Sequence, residues 1–295
     1  MDSLGFVGLG SMGGAIAARI ASTGQQVIGT DLDAAARERA AASGVSVENN
    51  GLPAICGRTG TIMLSLPRAE HVRAVVEGAD GILAHARPGT LVIDATTSDP
   101  ATSRALADKL AAAGHAFLDA PVSGLPLAAQ AGTLAIMVGG EAAALERARP
   151  YLARVAGKII HVGASGAGNV AKIVNNLLAS THTIIAGEAA LLAQACGVSA
   201  AAMIEVLNAS SGRSWATEVL FPRFVLTEGY DAGFAVELMR KDVRLGLALI
   251  GESGATLPVV KRAADIWDAS ERYLDDAADL TRMIEAVMQR RSGET

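Results

Sequence analysis

Aromatic residues make up only 3% of the 295-residue chain, although 51% of it is hydrophobic. The core must therefore come mostly from Ala, Val, Leu and Ile, which favours close helix packing and leaves little aromatic surface for stacking bases. Basic residues do not compensate. The formal charge is −5, and the basic face that a nucleic-acid partner calls for is missing. An anionic small molecule is still admissible, because a few local cations can hold one. Cysteine is almost absent: Cys56 and Cys196 stand 140 positions apart in apolar or loop contexts. They read as idle thiols in a reducing compartment rather than as a disulfide framework. No uninterrupted apolar run approaches the roughly 18–20 residues of a membrane span. Met1-Asp2-Ser3 leads straight into a strand-like run, without a basic segment, apolar stretch and cleavage site. The expectation is a cytoplasmic protein with neither a membrane nor a nucleic-acid partner.

What is present falls into two halves. Up to about residue 163, apolar runs at 4–7, 26–29, 60–64, 90–93, 116–118, 134–138 and 159–162 alternate with Ala-rich segments such as 33–42 and 100–113. Strand and helix in alternation predict an α/β, Rossmann-type doubly wound parallel sheet with helices on both faces. From 168 to about 197 runs one long helical pattern with very few charges, expected to be buried along most of its length. Helical segments follow near 199–209, 214–227, 233–252, 257–273 and 279–291. Breakers such as Ser211-Gly212, Glu228-Gly229 and Leu257-Pro258 separate them, and no strand-like run appears. The expected organisation is an α/β domain over 1–163 and an all-helical domain over 164–295, joined by the long helix.

Gly8-Leu9-Gly10-Ser11-Met12-Gly13 follows a strand and opens a helix. The first glycine permits a tight turn, and the second lets backbone N–H groups reach a pyrophosphate. The third lets the helix pack on the sheet with its N-terminus toward the phosphate charge. Asp31 ends the next strand at about the 20-residue distance of a dinucleotide-binding unit. A carboxylate there can accept from both ribose hydroxyls of NAD and repels a 2′-phosphate. Leu32 and Asp33 follow, and the nearest arginine, Arg37, lies on the next helix. The other reading of Asp31 is a plain cap of that helix.

A hydride exchange between a carbinol and nicotinamide also needs a group that exchanges the hydroxyl proton. None of His71, His85, His115, His161 and His182 falls in a glycine-rich or strand-end setting, and no His/Cys/Asp cluster has metal-ligand spacing. Lysine is scarce, five against twenty arginines. Lys172 lies in Gly166-Ala167-Gly168-Asn169-Val170-Ala171-Lys172-Ile173-Val174-Asn175-Asn176, inside the long apolar helix. Burial disfavours an ammonium and suits a proton shuttle, and Asn176 follows one turn later on the same face. A lysine snorkelling from the helix edge, or paired with an acid, fits the periodicity equally well.

At this point the motifs resemble a family. The Gly5 to Gly13 segment, Asp119-Ala120-Pro121-Val122-Ser123-Gly124, Gly132-Thr133-Leu134, the Gly166 to Asn176 stretch and Lys241-Asp242 are similar, in order and spacing, to the β-hydroxyacid dehydrogenases. That family includes 3-hydroxyisobutyrate dehydrogenase, tartronate semialdehyde reductase and 2-(hydroxymethyl)glutarate dehydrogenase. The resemblance implies that Gly8, Leu9, Gly10, Ser11, Met12 and Gly13 cradle NAD, that Leu66 and Pro67 flank the adenosine, and that Thr97 approaches the nicotinamide riboside. It further implies that Ser123 and Gly124 hold the substrate carboxylate and that Lys172 is the general acid/base. Asn176 then positions the substrate, and Lys241 reaches the cofactor or substrate from the helical half. Without the resemblance, Ser123-Gly124 is simply a turn after a strand. Arg213, in Ser210-Ser211-Gly212-Arg213-Ser214-Trp215, is either a second anion anchor or a cap of the preceding helix. The implied partners are a small anionic β-hydroxy acid and further copies of the chain, as homodimer or homotetramer. The family usually has a second glycine after the serine motif, and Leu125-Pro126 replaces it here. That departure bears on which substrate fits. Relatives with similar architecture that reduce imines commonly carry Asp or Tyr where Lys172 stands, and a catalytically silent NAD-binding scaffold would be expected to lose the lysine.

Overall fold

The structure is a computed structural model describing residues 2–289. The chain divides into two compact units, Met1–Lys172 and Ile173–Thr295. The division falls inside the long helix.

In the first unit the strands are β1 (Leu4–Val7), β2 (Val27–Thr30), β3 (Ser46–Val47), β4 (Thr61–Leu64), β5 (Leu91–Asp94), β6 (Ala116–Asp119), β7 (Val122–Ser123), β8 (Leu134–Gly140) and β9 (Ala156–Gly163). Between them run α1 (Ser11–Ser22), α2 (Ala34–Ala42), α3 (Leu52–Arg58), α4 (Ala69–Glu77), α5 (Ile82–His85), α6 (Pro100–Ala112), α7 (Pro126–Ala131) and α8 (Ala142–Leu152). The sheet order is β3-β2-β1-β4-β5-β6-β8-β7, with β9 beside β8. The strand order reverses direction at β1, where β2 and β4 flank it in parallel. In parallel sheets this switch point leaves a crevice at the strands' carboxyl ends.

Side chains alternate between the two faces with the strand period of two. In β5, Leu91 and Ile93 join one buried cluster with Phe6, Ile16 and Leu118, while Val92 joins the other with Ile62, Val72 and Leu106. Helices cover both faces, as expected. Two features depart from the expectation. The two-residue strands β3 and β7 were not anticipated, because no alternation can be read over two residues. The sheet is also not wholly parallel: β8 runs antiparallel to β6 and β7. The chain turns back through the short α7 rather than through a full crossover helix, and that allows the reversal.

The second unit is helical. α9 (Ala167–Ala195) enters it from the first unit, followed by α10 (Ala200–Ala209), a π-helix (Ala216–Val225), α11 (Val236–Ser253), α12 (Pro258–Ala269), a 3-10 turn (Ser270–Arg272) and α13 (Arg282–Met288). The widened π-turn accompanies Pro222, which has no N–H to donate within the helix. There the Leu226 N–H reaches back five residues to the Phe221 carbonyl at 2.9 Å. α9 is buried or half-buried over most of its residues, yet Val174, Leu178, Ile185 and Leu192 are 55, 56, 56 and 66% exposed. Their spacing of four and seven residues makes one apolar stripe, so scarcity of charge did not mean burial within one chain. No helix among the described residues is long and apolar enough to cross a membrane.

Candidate active site

The loop between β1 and α1 owes its shape to glycines. Gly8 has φ +93°, and a β-carbon there would lie 2.2 Å from the Ser65 carbonyl oxygen. At Gly13 it would lie 2.0 Å from the Gly8 carbonyl oxygen. Gly10 differs, since a β-carbon there would meet nothing within 4 Å. Internal packing demands the first and third glycines, whereas nothing within the fold crowds the second. A glycine turn at a helix N-terminus offers backbone N–H groups that an anionic group such as a pyrophosphate can use.

Asp31 sits at the end of β2 beside this loop. Its Oδ2 accepts from the Leu9 N–H at 2.5 Å and its Oδ1 from the Asp33 N–H at 2.9 Å. The cap of α2 is Asp33, which accepts from the Ala35 N–H at 2.9 Å. The plain-cap reading of Asp31 is therefore excluded. Arg37 lies close by, donating to the carbonyls of Asp31 at 2.6 Å and Leu32 at 3.2 Å.

Next along the strand ends, the Leu66 N–H donates to Thr96 Oγ1 at 3.0 Å, tying the Leu66-Pro67 loop to the residue before the half-buried Thr97. The pairings Val7↔Leu64, Leu64↔Asp94 and Asp94↔Asp119 place Gly8, Leu66, Thr97 and the start of the Asp119 segment along one edge. Ser123 ends β7, and Gly124 turns at φ +132°, where a β-carbon would lie 2.7 Å from Leu134 Cδ2. Leu125 continues in extended conformation, half-buried, as the residue before α7.

α9 begins on Asp119. Its Oδ1 accepts from the Gly166 N–H at 2.7 Å and its Oδ2 from the Asn169 N–H at 2.9 Å. Burial pushes this carboxyl above the usual range, and the N–H donors at the helix start pull the other way. Hydrogen bonds to a charged acceptor, about 1.5–3 kcal/mol each, offset its desolvation. Asn169 is itself buried, accepting from the Ser98 N–H and donating to Ser103 Oγ, both at 2.9 Å. Neither Asp119 nor Asn169 was singled out from the sequence, although both lie inside quoted motifs. Lys172, three residues on, is only 8% exposed, so snorkelling to solvent does not describe it.

In the second unit, Asn176 Nδ2 donates to Asp242 Oδ2 at 2.5 Å, and Lys241 Nζ lies 3.2 Å from Asp242 Oδ1. Both Asn176 and Asp242 are buried. α11 reaches α9 closely: a β-carbon at Gly246 would lie 2.5 Å from Leu177 Cδ2. The unit thus gathers Asn176 and Lys241 around a carboxylate that sequence reasoning passed over. Arg213 is exposed, and α10 ends at Ala209, capped by Ser210, whose N–H donates to the Leu207 carbonyl.

Comparison with known proteins shows the family. Residues 3–163 match the NAD binding domain of 6-phosphogluconate dehydrogenase, and 166–287 match the NAD-binding of NADP-dependent 3-hydroxyisobutyrate dehydrogenase. The chain is 37% identical to a probable 3-hydroxyisobutyrate dehydrogenase of Mycobacterium tuberculosis over 95% of each chain. The chain belongs to the β-hydroxyacid dehydrogenase family. It is an NAD-dependent hydroxyacid oxidoreductase. It is also similar to the NAD-dependent L-serine dehydrogenase of Pseudomonas aeruginosa, 37% identical over 90% of this chain and 91% of that protein. Among solved structures, the M. tuberculosis 3-hydroxyisobutyrate dehydrogenase with L-serine is 35% identical, with a TM-score of 0.87 over 97% of this chain and 99% of that one.

Proposed function

We propose that this dehydrogenase interconverts a small β-hydroxy acid of the 3-hydroxyisobutyrate type and its semialdehyde, with Lys172 as general acid/base. The observation that carries the reading is a lysine of 8% exposure held on a glycine-started helix in the same unit as the phosphate cradle. Bound NAD supplies the hydride acceptor. Gly8, Leu9, Gly10, Ser11, Met12 and Gly13 hold its pyrophosphate, Asp31 its ribose, and Leu66, Pro67 and Thr97 line its path along the strand ends. Asp31 favours NAD over NADP because a carboxylate repels a 2′-phosphate. Ser123 and the Gly124 N–H anchor the substrate carboxylate, Asn176 orients its oxygen, and Lys241 and the exposed Arg213 add positive charge for the anions. In oxidation Lys172 accepts the hydroxyl proton; in reduction it donates one. Preorganised donors supply positioning and charge stabilisation.

Lys172→Ala is expected to lower kcat by on the order of 10²–10⁴-fold with NADH binding retained. Near-normal turnover would sink the assignment. Rates of NAD reduction with 3-hydroxyisobutyrate, L-serine, 3-hydroxypropionate, glycerate and 2-(hydroxymethyl)glutarate rank the substrates, and a semialdehyde panel with NADH tests the reverse reaction. A cyclic imine turned over faster than every hydroxy acid would replace this reading.

The same enzyme is proposed to work in the cytoplasm as a homodimer or homotetramer. The stripe of Val174, Leu178, Ile185 and Leu192 supports this, since covering each such side chain contributes about 1.5–3 kcal/mol. Light scattering of Ile185→Glu beside the unmodified chain checks it, and a monomer in both would contradict it.

A further inference from the structure

We propose that Asp119 is a positioning residue for the reaction: by clamping the first turn of α9 together with Asn169, it sets the place of Lys172. This rests on the assignment of proton transfer to Lys172. The clamp has three parts, all within the first unit. The Asp119 carboxylate accepts from Gly166 and Asn169 N–H groups, one per oxygen. Asn169 then fastens the same turn to the Ser98 N–H and to Ser103 Oγ on α6. Finally, the helix start is pressed onto the sheet where only glycine fits. A β-carbon at Gly168 would lie 2.5 Å from the Met137 carbonyl oxygen and 2.6 Å from that of Asp119. One at Gly139 would lie 2.5 Å from Asp119 Oδ1.

Lys172 stands three residues beyond Asn169, about 4.5 Å along the helix axis and less than one turn away. A slip or rotation of that first turn passes to the lysine almost undiminished. The same network reaches the other proposed contacts. Ser98 follows Thr97, and Asp119 begins the segment that carries Ser123 four residues later. The bonds of the Asp119 carboxylate itself go to the start of the base helix, so its loss falls on Lys172 first. A carboxylate is required because both oxygens face N–H donors. An asparagine at 119 satisfies one and turns its own NH2 against the other.

The test is a kinetic cycle on the full-length protein using its best hydroxy acid. Asp119→Asn is expected to lower kcat by about 10–100-fold, since misplacement by about 1 Å costs on that order. Substrate KM and NADH affinity by fluorescence titration are expected to stay within about threefold. The double variant Asp119→Asn/Lys172→Ala is expected to be no slower than Lys172→Ala, because a clamp acting through the lysine has nothing left to position. Ser103→Ala removes only one outer bond of the clamp, and is expected to fold and to show the same pattern at about threefold in kcat. Unchanged kcat in Asp119→Asn overturns the proposal, as does a loss matched by an equal loss of NADH affinity. If Asp119→Asn does not fold, unchanged kcat in Ser103→Ala overturns it. Multiplying losses in the double variant, with Lys172→Ala slow, overturn the clamp and leave the lysine assignment standing. Normal turnover in Lys172→Ala removes both.

Discussion

The first unit builds its candidate cofactor site from backbone, while the second builds its share from side chains. Around Gly8 to Gly13 the groups offered are N–H donors, and the residues that matter are those lacking a side chain. Around Asn176 the groups are an amide, a carboxylate and an ammonium, joined between residues 66 positions apart in sequence. A backbone site tolerates almost any neighbour but no added carbon at its turns. A side-chain site tolerates crowding better but depends on each partner's chemistry. The two units should therefore fail differently when altered.

The largest effect is expected at Gly13. An alanine β-carbon placed 2.0 Å from the Gly8 carbonyl oxygen forces the loop or α1 to move, at about 1–3 kcal/mol of stability. NADH affinity is expected to fall by about 100-fold, roughly 2.7 kcal/mol, with lowered Tm. Gly10→Ala is the sharper companion, since its β-carbon meets nothing within 4 Å. It is expected to keep the Tm and lose NADH affinity alone. Titration of NADH fluorescence with a thermal melt of each variant separates the two. Full affinity in Gly10→Ala would show that the loop does not cradle the cofactor.

A smaller and differently shaped loss is expected at Asp242. Asp242→Asn keeps the size but removes the charge between Asn176 and Lys241, leaving buried polar groups imperfectly paired at about 1–3 kcal/mol. The hydroxy-acid kcat/KM is expected to fall about tenfold, while NADH affinity stays within about threefold. Steady-state kinetics against both substrates decide it. Equal losses for cofactor and hydroxy acid would erase the proposed division of labour.

The same contrast governs what could be read without a structure. The glycine loop and Asp31 follow from local spacing, because a strand, a turn and a helix start lie within a few residues of each other. The long strands and helices are legible for the same reason, from periodicity over four residues or more. β3 and β7, two residues each, are too short to show a period. The reversal of β8 depends on how α7 turns, which periodicity does not encode. Asp119 and Asp242 were passed over although their motifs were in view. Their partners lie 47, 50 and 66 positions away, and no local pattern marks a carboxylate as the hub of such a network. The exposed stripe of α9 escaped for a related reason: low charge says that a surface is apolar, without saying whether its own chain covers it.

The smallest perturbation uses the two cysteines, one in each unit. Cys56 on α3 is fully buried, and burial pushes its thiol up to about 11. Cys196, just beyond α9, is exposed. Only the thiolate attacks a disulfide reagent. At pH 8 about one part in a thousand of a thiol with pKa near 11 is ionised, so the closed state of Cys56 contributes almost no reaction. One thiol per native chain is therefore expected to react promptly. Cys56 should follow at a rate set by opening of the first unit. Adding NADH at about 100 times its Kd stabilises whatever conformation binds it by about 2.7 kcal/mol. If the first unit alone carries the cradle and opens on its own, Cys56 slows by roughly a hundredfold and Cys196 keeps its rate. If NADH leaves Cys56 unaffected, the conformations that bind cofactor and expose this thiol are not alternatives, and the cradle does not control the stability of its own unit.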